Sequence, residues 1–151
     1  MTPLLSFEVS GVPAPQGSKR GGVSTKTGKT FVYEQNSKTQ SNWRQDVLRA
    51  AKEARAAGCL DIVEGAVWLR VEFRLPRPAS VSIRRRPHPA VKPDVDKLLR
   101  NTMDGLTQAQ VYRDDAQVVA LQVSKRYATD DPDGSPGATI WVGVVPAPEI
   151  I

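Results

Sequence analysis

The stretch AVWLRVEFRL, residues 66–75, alternates apolar and polar side chains and puts Val67, Leu69, Val71, Phe73 and Leu75 on one side. A period of two is the signature of a β-strand with one face against a core. Pro76 and Pro78 end it, because proline cannot donate to a strand ladder. On its N-terminal side, Trp43, Val47, Ala50, Ala51 and Ala54 recur at helical spacing between Ser37 and Ala57, with Arg44, Lys52, Glu53 and Arg55 elsewhere on the wheel. Gly58 then supplies a stop. Earlier still, Leu5 to Val12 (LSFEVSGV) alternates again, with Leu5, Phe7 and Val9 on one face, and predicts a first strand. Between these, Pro13 to Lys29 is dense in Pro, Gly, Ser and Lys and reads as a basic loop carrying Lys19, Arg20, Lys26 and Lys29. Thr30 to Tyr33 follows as a short extra strand.

On the C-terminal side, residues 77–93 hold Arg84, Arg85 and Arg86 among prolines, an exposed and irregular basic loop. Val95, Leu98, Leu99, Thr102, Met103 and Leu106 then lie at i, i+3, i+4, i+7, i+8 and i+11, the apolar stripe of an amphipathic helix. Gln117 to Tyr127 (QVVALQVSKRY) reads as a strand with Val119, Leu121 and Val123 on one face, and Ala138 to Val145 (ATIWVGVV) as a last one. TDDPDGSPG, residues 129–137, is a turn by composition. The order strand, helix, strand, helix, strand, strand predicts one small α+β domain over residues 1–151, with two main helices against a mixed β-sheet. Trp43, Trp68 and Trp141 are assigned to its core.

Composition narrows the function. The 151 residues suit a single domain with a real core. Lys and Arg total 21 against 16 Asp and Glu, a net charge of +5, which points to a polyanionic partner. A single cysteine, Cys59, excludes an intrachain disulfide and a Cys-based zinc site. A single histidine, His88, removes mechanisms that need two imidazoles, so carboxylates must carry any hydrolytic chemistry; Cys59 and His88 themselves read as incidental. No segment is long and apolar enough to span a membrane, and the N-terminus lacks the pattern of a signal peptide, so a cytoplasmic protein is expected.

Against this basic background, KPDVDKLLR, residues 92–100, concentrates negative charge where the second helix begins. Pro93 disfavours helical geometry at Lys92, which makes Asp94 the N-cap and puts Asp96 in the first turn, where two side chains can be brought toward one point. A third carboxylate lies in YRDD, residues 112–115. The helix carries the chain about 18 Å, and the segment up to Asp115 spans at most about 27 Å, so a return to the helix start is geometrically allowed. Three converging carboxylates would repel unless neutralised by a hard cation, Mg²⁺ or Mn²⁺, and such a site suits phosphodiester hydrolysis. Spacing alone leaves a second reading open: an N-cap and a first-turn Asp each stabilise a helix by about 0.5 to 1 kcal/mol, and Asp-Asp before a strand is ordinary turn chemistry.

The span Lys92 to Arg126, KPDVDKLLRNTMDGLTQAQVYRDDAQVVALQVSKR, resembles the RusA family of Holliday junction resolvases, including phage versions. The family pattern is a D-x-D-N-x-x-K start, a D-A-L helix end and a W-x-D-D-x-Q-V strand start. GVPAPQGSKR and SKTQSNWR also resemble its opening strand, basic loop and first helix. The resemblance implies that Asp94, Asp96 and Asp115 hold a divalent metal, with Asp114 the less favoured neighbour. It places the family's helix lysine at Arg100 and its asparagine at Lys97, and matches Asp104 to its helix-end aspartate. Arginine cannot give up a proton as a buried lysine can, so Arg100 is expected to neutralise charge. The implied activity is a metal-dependent endodeoxyribonuclease that resolves four-way DNA junctions by paired symmetric nicks, in DNA recombination and repair, with a homodimer supplying two sites. Lys19, Arg20, Arg84, Arg85, Arg86 and Lys97 are the candidate DNA contacts. Two other readings are a catalytically inactive DNA-binding protein of the same fold and a general nuclease for flaps or forks.

Overall fold

The computed structural model describes residues 2–17, 19–34, 37–130 and 133–149; the side chains of residues 19–22, 31–34 and 37 lie outside that description. The elements run β1 (Leu5–Ser10), β2 (Lys19–Val23), β3 (Thr30–Glu34), α1 (Ser37–Ala57), β4 (Val67–Leu75), α2 (Val95–Gln108), β5 (Val118–Tyr127) and β6 (Gly137–Val144). Strands β1, β6, β4 and β5 form one sheet in that order, and β2 and β3 form a separate antiparallel hairpin. β4 runs parallel to β5 and antiparallel to β6, so the sheet is mixed as expected. The stretch read as a basic loop over residues 13–29 is thus in part strand: Lys19–Val23 is drawn into a hairpin by pairing with β3, a cross-strand gain that local composition does not register.

β4 behaves as its alternation dictates, with Val67, Leu69, Val71, Phe73 and Leu75 all buried and the residues between them half-buried. Its inner face joins Val9, Ile140 and Val142 of the neighbouring strands and Trp43, Val47, Leu98 and Leu106 of the helices in one core, so both helices cover a single side of the sheet. α1 ends at Ala57, but the residue with positive φ is Cys59 (φ 50), so the chain turns one position beyond the expected Gly58. On α2 the buried face is Leu98, Asn101, Thr102, Gly105 and Leu106, rotated from the predicted stripe so that Val95 is left 37% exposed. Gly105 explains the rotation: a Cβ there would stand 2.9 Å from Val47 Cγ1 and 3.1 Å from the Arg44 carbonyl, so α1 and α2 meet backbone to backbone at this point.

Two apolar assignments need correction. Val119 and Leu121 are 62% and 51% exposed, because β5 is the edge strand of the sheet and has a neighbouring strand on one side alone. Trp43 is buried in the core, but Trp68 and Trp141 are half-buried on the opposite, helix-free face of the sheet. There Trp68 lies flat on Gly143, where a Cβ would fall 2.2 Å from its ring nitrogen, and the Arg70 guanidinium sits 4.7 Å from the Trp141 ring centre.

Candidate active site

α2 starts where Leu98 N–H donates to the Asp94 carbonyl at 3.1 Å. Asp94 is the N-cap with extended torsions (φ −70, ψ 140), as expected, yet its side chain makes no capping hydrogen bond. Asp96 lies in the first turn, and both carboxylates are exposed. Hard oxygen donors two residues apart at a helix N-terminus are a suitable start for a Mg²⁺ or Mn²⁺ site.

Asp115 does not join them within the chain. Its Oδ1 accepts a 2.5 Å hydrogen bond from the Thr107 hydroxyl, at the other end of α2. Thr107 lies about three helical turns from Asp96, about 16 Å along the axis. Among the described residues, no group of three His, Cys, Asp or Glu side chains is assembled that could hold a metal ion. The return toward the helix start does not occur because residues 112–117 are tied down locally. Tyr112 bridges Val63, the Gln117 amide donates to the Val63 and Gly65 carbonyls, and Arg113 donates to Glu64 Oε1 at 2.9 and 2.7 Å. That contact holds the Glu64 carboxyl below its ordinary range.

Asp114 and Asp115 divide the work. Asp114 caps a 3₁₀ turn over Asp115–Gln117, its carboxylate accepting from Ala116 N–H at 2.8 Å, while the Gln117 side chain accepts from the Asp114 N–H. Asp115 is left facing a cleft of about 280 Å³ shared with Asp104, Thr107, Gln108, Arg113 and Asp114. Beneath it Tyr112 is fully buried, and burial first, then the Asp115 charge, push its hydroxyl above the ordinary phenol value. Asp104 stands 3.8 Å from Arg44.

The basic residues gather toward the Asp94 end. Arg100 is exposed in the second turn of α2 and Lys97 is half-buried. Arg84 and Arg85 are exposed on the loop that leads into Asp94, with Arg86 half-buried. That loop is irregular but not loose: the Arg77 side chain, 6% exposed, donates to the Ser82, Arg86 and Pro87 carbonyls and stacks 4.1 Å from the Tyr127 ring centre. Lys19 and Arg20 begin β2, and their side chains lie outside the described residues. The base of their loop reaches α2 where Gln16 N–H donates to the Lys97 carbonyl at 3.0 Å.

Sequence reasoning passed over four residues that build this site. Asn101, fully buried, donates to the Ala14 and Gln40 carbonyls and accepts from Arg44 Nε, tying both helices to the base of the loop before β2. Thr107 orients Asp115, and Arg77 gathers the arginine loop. Lys125 donates to the Val91 and Pro93 carbonyls at 2.8 and 2.9 Å, directly ahead of Asp94. For Lys125 a signal was present, since it is a charged residue in the apolar phase of its strand.

A family model described as Endodeoxyribonuclease RusA matches residues 13–135 of this chain. The chain is also 32% identical over 135 residues to "Uncharacterized protein YqaN" of Bacillus subtilis (strain 168), an overlap covering 83% of this chain and 89% of that one.

Proposed function

Because this chain belongs to the RusA endodeoxyribonuclease family, we propose that it is a divalent-metal-dependent endonuclease that nicks four-way DNA junctions, acting as a homodimer in recombination and repair. The observation that carries the reading is the unspent Asp94 carboxylate beside Asp96 at the mouth of a basic surface. In a protein of net charge +5, two exposed carboxylates at that point oppose the field that attracts DNA, and a bound cation removes the conflict. A divalent cation held there, Mg²⁺ or Mn²⁺, supplies charge neutralisation at the scissile phosphate. Asp94 and Asp96 hold it, Arg100 offsets charge on the phosphate oxygens as the bond breaks, and Arg84, Arg85, Arg86, Lys97, Lys19 and Arg20 track the backbone.

The position of Asp115 favours the homodimer. β5 leaves one side unpaired at the sheet edge, with Val119 and Leu121 exposed on it, and α2 lies along it with the Asp94 end near Lys125 and the Asp115 end near Val118. Antiparallel pairing of two such edges about a two-fold axis near Gln122 would bring the partner's Asp115 to the Asp94 end, completing a three-carboxylate set twice. Two sites related by a two-fold axis suit two symmetric nicks.

The test is cleavage of a labelled four-way junction with and without Mg²⁺, against flap and plain duplex controls, by wild type and Asp96→Asn. Symmetric nicks that need metal and vanish in the variant, with binding retained or tightened, are expected. Binding without cleavage under Mg²⁺ and Mn²⁺ alike would make the aspartates structural, and preference for flaps would replace the junction as substrate.

A further inference from the structure

Lys125 lies opposite Phe73 on β4, in the helix-facing phase of β5 that also contains Leu121, Val123 and Tyr127. A charged side chain in an apolar phase needs partners, and those it finds are the carbonyls of Val91 and Pro93 at 2.8 and 2.9 Å. These carbonyls flank Lys92, and Asp94 follows directly. Because the Asp94 carboxylate makes no capping bond, its aim depends on the backbone that precedes it, and Lys125 is what ties that backbone to the sheet.

Resting on the nuclease reading above, we propose that Lys125 is a positioning residue for the metal site: its two carbonyl hydrogen bonds fix the backbone that aims Asp94 and Asp96. An ordinary stitch between a loop and a strand would contribute to folding alone. Positioning predicts an effect on cation affinity in protein that is already folded.

The experiment is a Mn²⁺ titration of the full chain without DNA, followed by electron paramagnetic resonance, with circular dichroism confirming that each variant is folded at the titration temperature. Lys125→Met should weaken Mn²⁺ binding by about tenfold or more, the scale on which groups outside the ligand shell act, and Lys125→Arg should recover part of the loss. The Mg²⁺ concentration for half-maximal nicking should rise in step, while metal-free junction binding stays unchanged. Wild-type Mn²⁺ affinity in folded Lys125→Met overturns the proposal and leaves the nuclease reading intact. If Lys125→Met fails to fold, Lys125→Gln, whose side chain is one atom shorter and falls short of the two carbonyls, decides the matter by the same titration: weakened binding supports positioning and unchanged binding overturns it. A wild type that binds no Mn²⁺ overturns the metal reading and the proposal together.

Discussion

Asp94 and Asp114 occupy the same local position, the residue before a helical turn, and use it in opposite ways. Asp114 spends its carboxylate on the Ala116 N–H, whereas the Asp94 side chain makes no capping hydrogen bond. Urea denaturation should therefore show Asp114→Ala losing about 1 kcal/mol, the usual worth of a cap, and Asp94→Ala losing only a few tenths. The reverse ranking would return Asp94 to a structural role. Tyr112 makes a second residue-level prediction. Its hydroxyl is pushed above the ordinary value of 10.0 by burial and by the Asp115 charge. The folded protein thus keeps a proton that the unfolded chain releases, so the stability tied to it is whole below about pH 10 and is lost as pH rises beyond that point. Above it, wild type should lose up to about 1.4 kcal/mol per pH unit more than Tyr112→Phe. Parallel stability curves for the two proteins would refute the assignment.

The pairing of α1 with α2 shows how polar groups set an interface that apolar periodicity describes incompletely. Asn101 joins the Ala14 carbonyl, the Gln40 carbonyl and Arg44, while Trp43 Nε1 donates to the Thr102 hydroxyl at 3.0 Å, and that hydroxyl donates to the Leu98 carbonyl at 2.9 Å. Replacing Asn101 by Leu should lower stability by about 2 to 4 kcal/mol, because each buried carbonyl left without a donor costs about 1 to 3 kcal/mol; thermal and urea unfolding would measure it. A loss below 1 kcal/mol would mean that water takes over those bonds. The apolar stripe of α2 was legible, but its rotation was not, since Asn101 and Gly105 face the core by virtue of partners on another element. β5 failed for a related reason: alternation shows which side chains share a face, not how far that face is covered, and at the sheet edge Val119 and Leu121 stay more than half exposed.

For the whole molecule, the separation of Asp115 from Asp94 and Asp96 along α2 turns oligomeric state into a question of chemistry. If each site takes its third carboxylate from the partner copy, neither Asp96→Asn nor Asp115→Asn cleaves alone, yet a mixture does. A mixed dimer then joins Asp94 and Asp96 from one copy with Asp115 from the other and restores one site of two. Single-strand nicking by the mixture, seen on a labelled junction, is the expected outcome. No cleavage by the mixture, with dimers shown by sedimentation, would mean that all three aspartates act within one chain.

Local order was readable from the chain: the alternation of β4, the 3.6-residue period of both helices and the proline ahead of Asp94 are short-range effects, each set by sterics and side-chain phase within a few residues. The candidate carboxylates were readable too, because charge placed against a basic composition stands out without any fold. Where Asp115 goes, which strand forms the edge, which face of the sheet stays open and what Lys125 holds were settled by contacts between residues far apart in sequence. Such contacts depend on which elements pack together, and no local period encodes that choice.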